Sequence, residues 1–218
     1  MSDWVTVFSS IATGGGTLVL AVATFSSVKS ANRSARVAER SLLAGQRPVL
    51  IPSRDDDPPE YVRFGDAVVL DVPGHGGARE VRNDNIYMAL ALRNGGSGLA
   101  VIHGWRAEVR PRSDSIRPDL GAFRRQTRDL YIPAGETGFW QGAIRDREDP
   151  DYEALRGGID TGARLLVDIM YGDHEGGQRA IARFGVGLDF DPRGPDGSER
   201  VVRAEVIRYW NVDGAGPR

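Results

Sequence analysis

The chain has 218 residues, a formal net charge of −2 and no cysteine. Without cysteine it has neither disulfides nor thiolate nucleophiles or metal ligands. Because a general nucleic-acid-binding protein would be basic overall, the slightly acidic balance also argues against a nucleic-acid partner.

The first predicted element is a membrane-spanning helix. Residues Trp4 to Val28 form a run of 25 positions without Asp, Glu, Lys or Arg. A helix of that length rises about 37 Å, which exceeds a hydrocarbon core of about 30 Å. We therefore predict that 1–28 is a transmembrane anchor. Small residues four positions apart, such as Ser10 and Gly14, would also let two copies approach closely and form a homodimer through this helix.

A positively charged flank follows the run and sets the expected orientation. The cations predicted to contact the membrane surface are Lys29, Arg33, Arg36 and Arg40. Positive flanks stay in the cytoplasm, so we predict a single-pass protein of the cell membrane with its C-terminal domain in the cytoplasm. A cleaved signal peptide is the main alternative, since 21–23 has the A-x-A form of a cleavage site. Against it, the N-terminal residues lack the usual Lys or Arg.

A basic juxtamembrane helix is predicted over 29–47. Small and apolar residues recur there at steps of three and four, at Val28, Ala31, Ala35, Ala38 and Leu42. Such a heptad-like stripe suits a helix that rests on the bilayer or on the domain, or else a parallel dimer. Gly45 and Pro48 then supply a stop signal.

The remainder, 48–210, is predicted to be a mainly β domain with the fold of an antiparallel, Ig-like β-sandwich. About seven to nine short apolar runs, separated by Gly, Pro and Asp and without alternating helices, favour this class. One short helix is predicted over 149–157, capped by Asp149. The strands are expected at 48–52, 61–72, 85–94 and 99–110, twice within 124–144, as a hairpin over 163–188, and at 200–210. The tail, 211–218, is predicted to be disordered.

The clearest strand pair is expected around GGSG (95–98). Apolar residues alternate in NIYMALALRN (85–94) and again around Trp105 in LAVIHGWRAEVR (99–110). We therefore predict an antiparallel hairpin with one buried face. By alternation His103 should share the face of Trp105, unless Gly104 forms a β-bulge.

No constellation of residues predicts catalysis, a cofactor or a metal. The spacing of His75, His103 and His174 is not that of metal ligands on one element. A hydrolase whose site is assembled from loops around these histidines is therefore the weakest of the functional hypotheses. Asp55 to Asp57 lack the ligand spacing of a calcium loop. One basic patch is present: Arg106 to Arg128 holds seven arginines against three acidic residues, and it could contact headgroups or an acidic partner.

Two stretches are similar to a group of uncharacterised bacterial single-pass membrane proteins with an Ig-like sandwich. They are VKSANRSARVAERSLLAGQRPVLIP, after the apolar run, and LALRNGGSGLAVIHGW. The resemblance is best over 4–52 and 86–105; it implies architecture and carries no catalytic residues. The sequence thus predicts a membrane-anchored, non-enzymatic binding or scaffolding protein that contacts the bilayer and another protein. An envelope protein with a ligand-binding sandwich outside the membrane is the alternative.

Overall fold

The computed structural model describes residues 3–109, 116–176, 178–190 and 200–213, without the side chains of 3–19, 40, 43, 44, 190 and 200. The chain divides into two compact units, Met1–Gly45 and Gln46–Arg218. The predicted combination of an N-terminal helix and a mainly β remainder is confirmed.

The first unit is one continuous helix, α1 (Asp3–Gly45). No proline interrupts it, and it ends at Gly45 as predicted, shortly before Pro48. The heptad-like stripe is uncovered, with Val28 52% and Leu42 62% exposed. In the described part of the chain, no helix is both long and apolar enough to cross a membrane. Most of the predicted anchor, residues 3–19, has its side chains outside that description.

The second unit is built from short strands and one short helix. The first six strands are β1 (Leu50–Pro52), β2 (Glu60–Arg63), β3 (Val69–Val72), β4 (Gly77–Arg82), β5 (Asn85–Asn94) and β6 (Ala100–Val109). Six more follow: β7 (Arg124–Arg125), β8 (Tyr131–Ile132), β9 (Thr137–Ile144), β10 (Leu165–Gly172), β11 (Ala180–Phe190) and β12 (Arg200–Asn211). Helix α2 (Tyr152–Asp160) lies between β9 and β10, and a single 3-10 turn, Leu120–Ala122, precedes β7.

All strand pairs of the described residues are antiparallel. In the first sheet β9 pairs with β5 over nearly its whole length, so β4 and β1 share the opposite edge of β5. The second sheet has the order β12-β11-β10-β6, with the short strands β7 and β8 on the other edge of β6. The hairpin β2–β3 forms a separate two-stranded sheet.

One apolar cluster draws on both large sheets. The first sheet contributes the residues of β5 that were predicted to share a face, Ile86, Met88, Leu90 and Leu92. The second contributes side chains from β6, β10 and β11, including Trp105, Val167 and Phe184. The opposite face of β5 is also covered, because Tyr87 and Ala89 pack with the β2–β3 hairpin. The prediction of a single buried face is therefore wrong for β5.

The predicted hairpin between β5 and β6 does not form. Each strand pairs within its own sheet, and 95–98 crosses from one sheet to the other. The side chain of Asn94, which is completely buried, fixes this crossing. Its Oδ1 accepts hydrogen bonds from the main-chain N of Val49 (3.1 Å) and Gly96 (3.0 Å). Its Nδ2 donates to the main-chain O of Gly98 (2.6 Å) and Ile132 (3.0 Å). These contacts attach the crossing to β1 and β8.

Three local predictions also need correction. The stretch 61–72 is two strands, with the turn between them starting at Phe64, rather than one interrupted strand. Helix α2 begins at Tyr152, and Asp149 instead caps the preceding turn by accepting from the main-chain N of Asp151 (2.9 Å). Strand β4 was not predicted; it turns into β5 through Asn83 and Asp84, both at positive φ, which is the conformation of a two-residue hairpin loop.

Other predictions hold. The hairpin over 163–188 is β10–β11, and the last strand is β12. A β-bulge does form in β6, since Gly104 pairs with Met170 and Ile102 with Tyr171, which leaves His103 as the extra residue. The predicted disordered tail, 211–218, is not among them, because Asn211 belongs to β12 and Asp213 forms an ion pair with Arg179 (2.8 Å). The rest of the tail, 214–218, lies outside the described residues.

Candidate anion-binding cleft

A cleft of about 890 Å³ opens beside the edge of β9 that does not pair with β5. Three parts of the second unit form its walls: the β2–β3 turn, the segment that begins with β7, and the second half of β9. The lining residues are Arg63, Phe64, Gly65, Asp66, Trp105, Arg124, Arg125, Gln126, Thr127, Arg128, Gln141, Gly142, Ala143 and Arg145. We call this site the arginine cleft.

The charge of the arginine cleft is strongly unbalanced. Five arginines line it against one carboxylate, Asp66. Arg63, Arg125 and Arg128 are exposed, and none of them forms an ion pair with a carboxylate of the described residues. Arg128 does donate a hydrogen bond to the main-chain O of Arg63 (3.2 Å), which holds these two residues together across the cleft. Three unpaired guanidinium groups around one concave surface attract anions.

The other two arginines are held in place by carboxylates. Arg124 Nη2 lies 2.6 Å from Asp149 Oδ1 and 2.7 Å from Asp151 Oδ2. Arg145 Nε donates to Asp66 Oδ2 (3.1 Å). Hydrogen bonds from Tyr87 and from Arg145 lower the pKa of Asp66, so this carboxylate stays charged at ordinary pH. These contacts fix the walls but leave the cleft with an excess of positive charge.

The floor of the arginine cleft is aromatic. The rings of Trp105 and Trp140 meet edge to face at 5.5 Å, and the guanidinium of Arg124 lies 5.2 Å from the Trp105 ring centre. Gly142 lies over these rings, where an added Cβ would come within 2.7 Å of Trp140 and 3.0 Å of Trp105. A larger residue at 142 would therefore displace the floor.

Two glutamines join the walls of the cleft. Gln126 Nε2 donates to the main-chain O of Gln141 (3.1 Å), so the β7 segment contacts β9 through a side chain. The Oε1 atoms of Gln126 and Gln141 are both buried and have no hydrogen-bond partner among the described residues. A buried acceptor without a donor is unfavourable by about 1–3 kcal/mol. Two buried acceptors among the described residues are therefore unsatisfied where the β7 segment meets β9.

The structure separates the basic patch predicted over Arg106 to Arg128. Arg124, Arg125 and Arg128 line the arginine cleft, whereas Arg106 lies against Glu108 and Asp168 on β6 and β10. Two further arginines of the predicted patch, 110 and 112, lie outside the described residues. Sequence reasoning missed Arg63, at the end of β2, and Arg145, just after β9, because they are distant in sequence and no local pattern marks them.

The other candidate residues are not assembled into a site. Lys29, Arg33 and Arg36, the predicted membrane contacts, are exposed on α1, and the side chain of Arg40 lies outside the description. His75 and His174 line two different clefts. Burial lowers the pKa of His103, with Arg179 adding to the effect. Within the described residues no group of three or more His, Asp or Glu could hold a metal ion.

The acidic loop 53–60 is engaged within its own unit. Asp57 Oδ2 accepts from the main-chain N of Arg54 (2.6 Å), and Asp55 forms an ion pair with Arg203. Both carboxylates therefore have partners within the second unit.

Comparison with known proteins gives no relative: no family model, curated protein or solved structure matches this chain. The function must therefore be argued from the site.

Proposed function

We propose that this chain is a membrane-anchored, non-enzymatic binding protein whose arginine cleft takes an anionic partner. The observation that supports it is the gathering of five arginines around one cleft with a single carboxylate, Asp66. Three of these arginines have no ion-pair partner among the described residues, so their charge is available to a ligand. The anionic partner that the proposal favours is another protein at the inner surface of the cell membrane.

The proposed anchor is the run Trp4 to Val28, now seen as the first part of one long helix. Its support is the absence of charge in the run and the cations that follow on the exposed surface of α1. The same exposed surface carries the heptad-like stripe, which is compatible with a parallel homodimer of this helix. The two large sheets, which share one apolar cluster, are proposed to form an Ig-like β-sandwich.

The first prediction concerns an anionic probe. We expect the full chain, in a non-ionic detergent at low salt, to bind triphosphate, and we expect the triple variant R63Q/R125Q/R128Q to bind it at least tenfold more weakly. Each partly exposed charge pair contributes up to about 1 kcal/mol, and about 1.4 kcal/mol is a factor of ten. Isothermal titration calorimetry measures both affinities.

A matched triple variant controls for the change in net charge. R54Q/R82Q/R147Q removes three exposed arginines that lie outside the cleft, and its affinity for triphosphate should stay within twofold of the wild type. Equal losses in the two triple variants would show that the probe responds to net charge only, and the proposed cleft function would be wrong.

The second prediction concerns the anchor. The intact chain should sediment with membranes and resist extraction by high salt or alkaline carbonate, because burial of the apolar run is insensitive to ionic strength. A variant that starts at Gln46 should remain in the supernatant of the same ultracentrifugation. If salt alone released the intact chain, surface attachment through the arginines of α1 would replace a spanning helix.

A further inference from the structure

We propose that the arginine cleft takes an acidic polypeptide segment in extended conformation, which pairs as an added strand with the open edge of β9. The inference rests on the proposed function, since it names the chemical class of the anionic partner. It follows from the orientation of the main chain at the edge of β9, from the main-chain groups there that pair with no described strand, and from the charge of the walls.

Strand β9 has one edge without a strand partner. It pairs with β5 from Thr137 to Ile144, and no other described strand pairs with it. In an antiparallel ladder, successive residues direct their N–H and C=O groups alternately toward the partner and away from it. The main-chain O of Gln141 accepts from Gln126, so it points away from β5. By the same alternation, the main-chain groups of Phe139 and Ala143 also face the open edge.

The side chain of Gln126 occupies one place along this edge in the way that an added strand would. Its amide donates to the main-chain O of Gln141, as the N–H of a neighbouring strand would do. The open main-chain groups of Phe139 and Ala143 include both N–H donors and C=O acceptors. A polypeptide pairs with both kinds, whereas a phosphate group supplies acceptor oxygens only. The hydrogen-bonding groups therefore favour a peptide over a phosphate-rich ligand.

The walls indicate which side chains the peptide should carry. Arg125 and Arg128 lie on the β7 side of the cleft, and Arg63 lies on the β2–β3 side. Side chains of an added strand alternate between two faces. Acidic residues at every second position would therefore face Arg125 and Arg128, while the residues between them face the β2–β3 side at Phe64. We therefore expect a segment in which Glu or Asp alternates with apolar residues.

The test uses an eight-residue peptide of alternating Glu and Val, labelled for fluorescence anisotropy, with the full chain in a non-ionic detergent. The corresponding Lys-Val peptide should bind at least tenfold more weakly. Two further peptides carry N-methyl groups on alternate main-chain amides, one on the even and one on the odd positions. An added strand pairs with β9 only through the amides that point to one of its edges, and these belong to alternate residues. One methylated peptide should therefore lose at least tenfold in affinity, and the other should bind like its parent.

The variants link the peptide to the cleft. The variant R63Q/R125Q/R128Q should bind the parent peptide at least tenfold more weakly than the unaltered chain does. The variant R54Q/R82Q/R147Q should bind it with unchanged affinity. Circular dichroism establishes that each variant is folded. Because the methylated peptides are tested on the unaltered chain, the strand inference does not depend on any variant.

Each contrary outcome has a distinct meaning. Equal affinities of the two methylated peptides and their parent would overturn strand addition, but would leave the proposal that the arginine cleft binds an anion unaffected. Binding of triphosphate or of phosphatidylglycerol vesicles through the cleft arginines, without binding of the Glu-Val peptide, would assign the cleft to phosphate groups and overturn the peptide. If the triple variant R63Q/R125Q/R128Q bound both the peptide and triphosphate with unchanged affinity, the proposed function itself would be contradicted.

Discussion

Replacing Asp168 by Asn should lower the free energy of unfolding by about 3–5 kcal/mol, the usual effect of breaking a buried ion pair from one side. Asp168 and Arg183 are each 1% exposed. Arg183 donates from Nε to Oδ1 (2.6 Å) and from Nη2 to Oδ2 (2.8 Å) of the carboxylate. Because arginine does not deprotonate in proteins, the variant keeps the buried positive charge of Arg183 and removes the carboxylate that lies beside it.

Arg183 also makes contacts that do not involve Asp168. Arg183 also donates to the main-chain O of Ile116 (3.3 Å), and its guanidinium lies 4.9 Å from the ring centre of Trp210. Both contacts interact with the cation without neutralising it. Arg106 Nη1 lies 3.8 Å from Asp168 Oδ2, so the substitution also removes a partner from a second arginine.

Urea unfolding of the full chain in detergent, followed by tryptophan fluorescence, measures the effect. The control is E80Q, which breaks the exposed pair between Glu80 and Arg82 and should lower the free energy of unfolding by no more than about 1 kcal/mol. The double variant D168L/R183M, which removes both charges, should recover much of the loss. A D168N variant as stable as E80Q would mean that the buried pair is not formed.

Replacing Asn94 by Leu should also destabilise the fold strongly, by about 4 kcal/mol. The substitution keeps a similar volume but leaves four main-chain groups without their partner: the buried O of Ile132 and the partly buried groups of Val49, Gly96 and Gly98. Each unsatisfied group contributes about 1–3 kcal/mol in the unfavourable direction. Because these groups lie on three separate segments, the loss should be concentrated where β1 and β8 meet the crossing.

Hydrogen exchange separates this local effect from a global one. The amides of Val49 and Gly96 should exchange much faster in N94L under conditions where the amides of β10 and β11 remain protected. The control is N85L, which removes a single side-chain hydrogen bond to Tyr87 and should change the free energy of unfolding by about 1 kcal/mol. Equal stability of N94L and N85L would show that Asn94 does not organise the crossing.

The sequence correctly predicts those helices and strands whose own residues carry a clear local pattern. Helix α1 follows from a long segment without proline that ends at Gly45, and β5 follows from the alternation of Ile86, Met88, Leu90 and Leu92. The hairpin β10–β11 follows from two apolar runs joined by a polar turn. In each case the residues that determine the element lie within the element or beside it.

Strand pairing could not be predicted in the same way. GGSG has the composition of a hairpin turn, but the side chain of Asn94 bonds groups 45 and 38 residues away in the chain, at Val49 and Ile132. Those contacts direct the chain across to the second sheet. Alternation shows which residues share a face of a strand, and it does not show which strand lies at each edge.

The arginine cleft was predictable only in part. Arg124, Arg125 and Arg128 lie close together in sequence, and their charge marked a patch. Arg63 and Arg145 join them because the β2–β3 turn and the end of β9 face the same space. The free edge of β9 depends on which strands pair with β5, so no local signal in the sequence could have revealed it.

The most direct test of the account is to locate where an anion binds. Phenylglyoxal modification of the full chain in isolated membranes, read by mass spectrometry with and without triphosphate, reports the accessibility of individual arginines. We expect triphosphate to protect Arg63, Arg125 and Arg128 at least threefold, and to leave Arg54 and Arg147 unprotected. Equal protection of all five arginines, or protection of none, would contradict a binding function for the cleft.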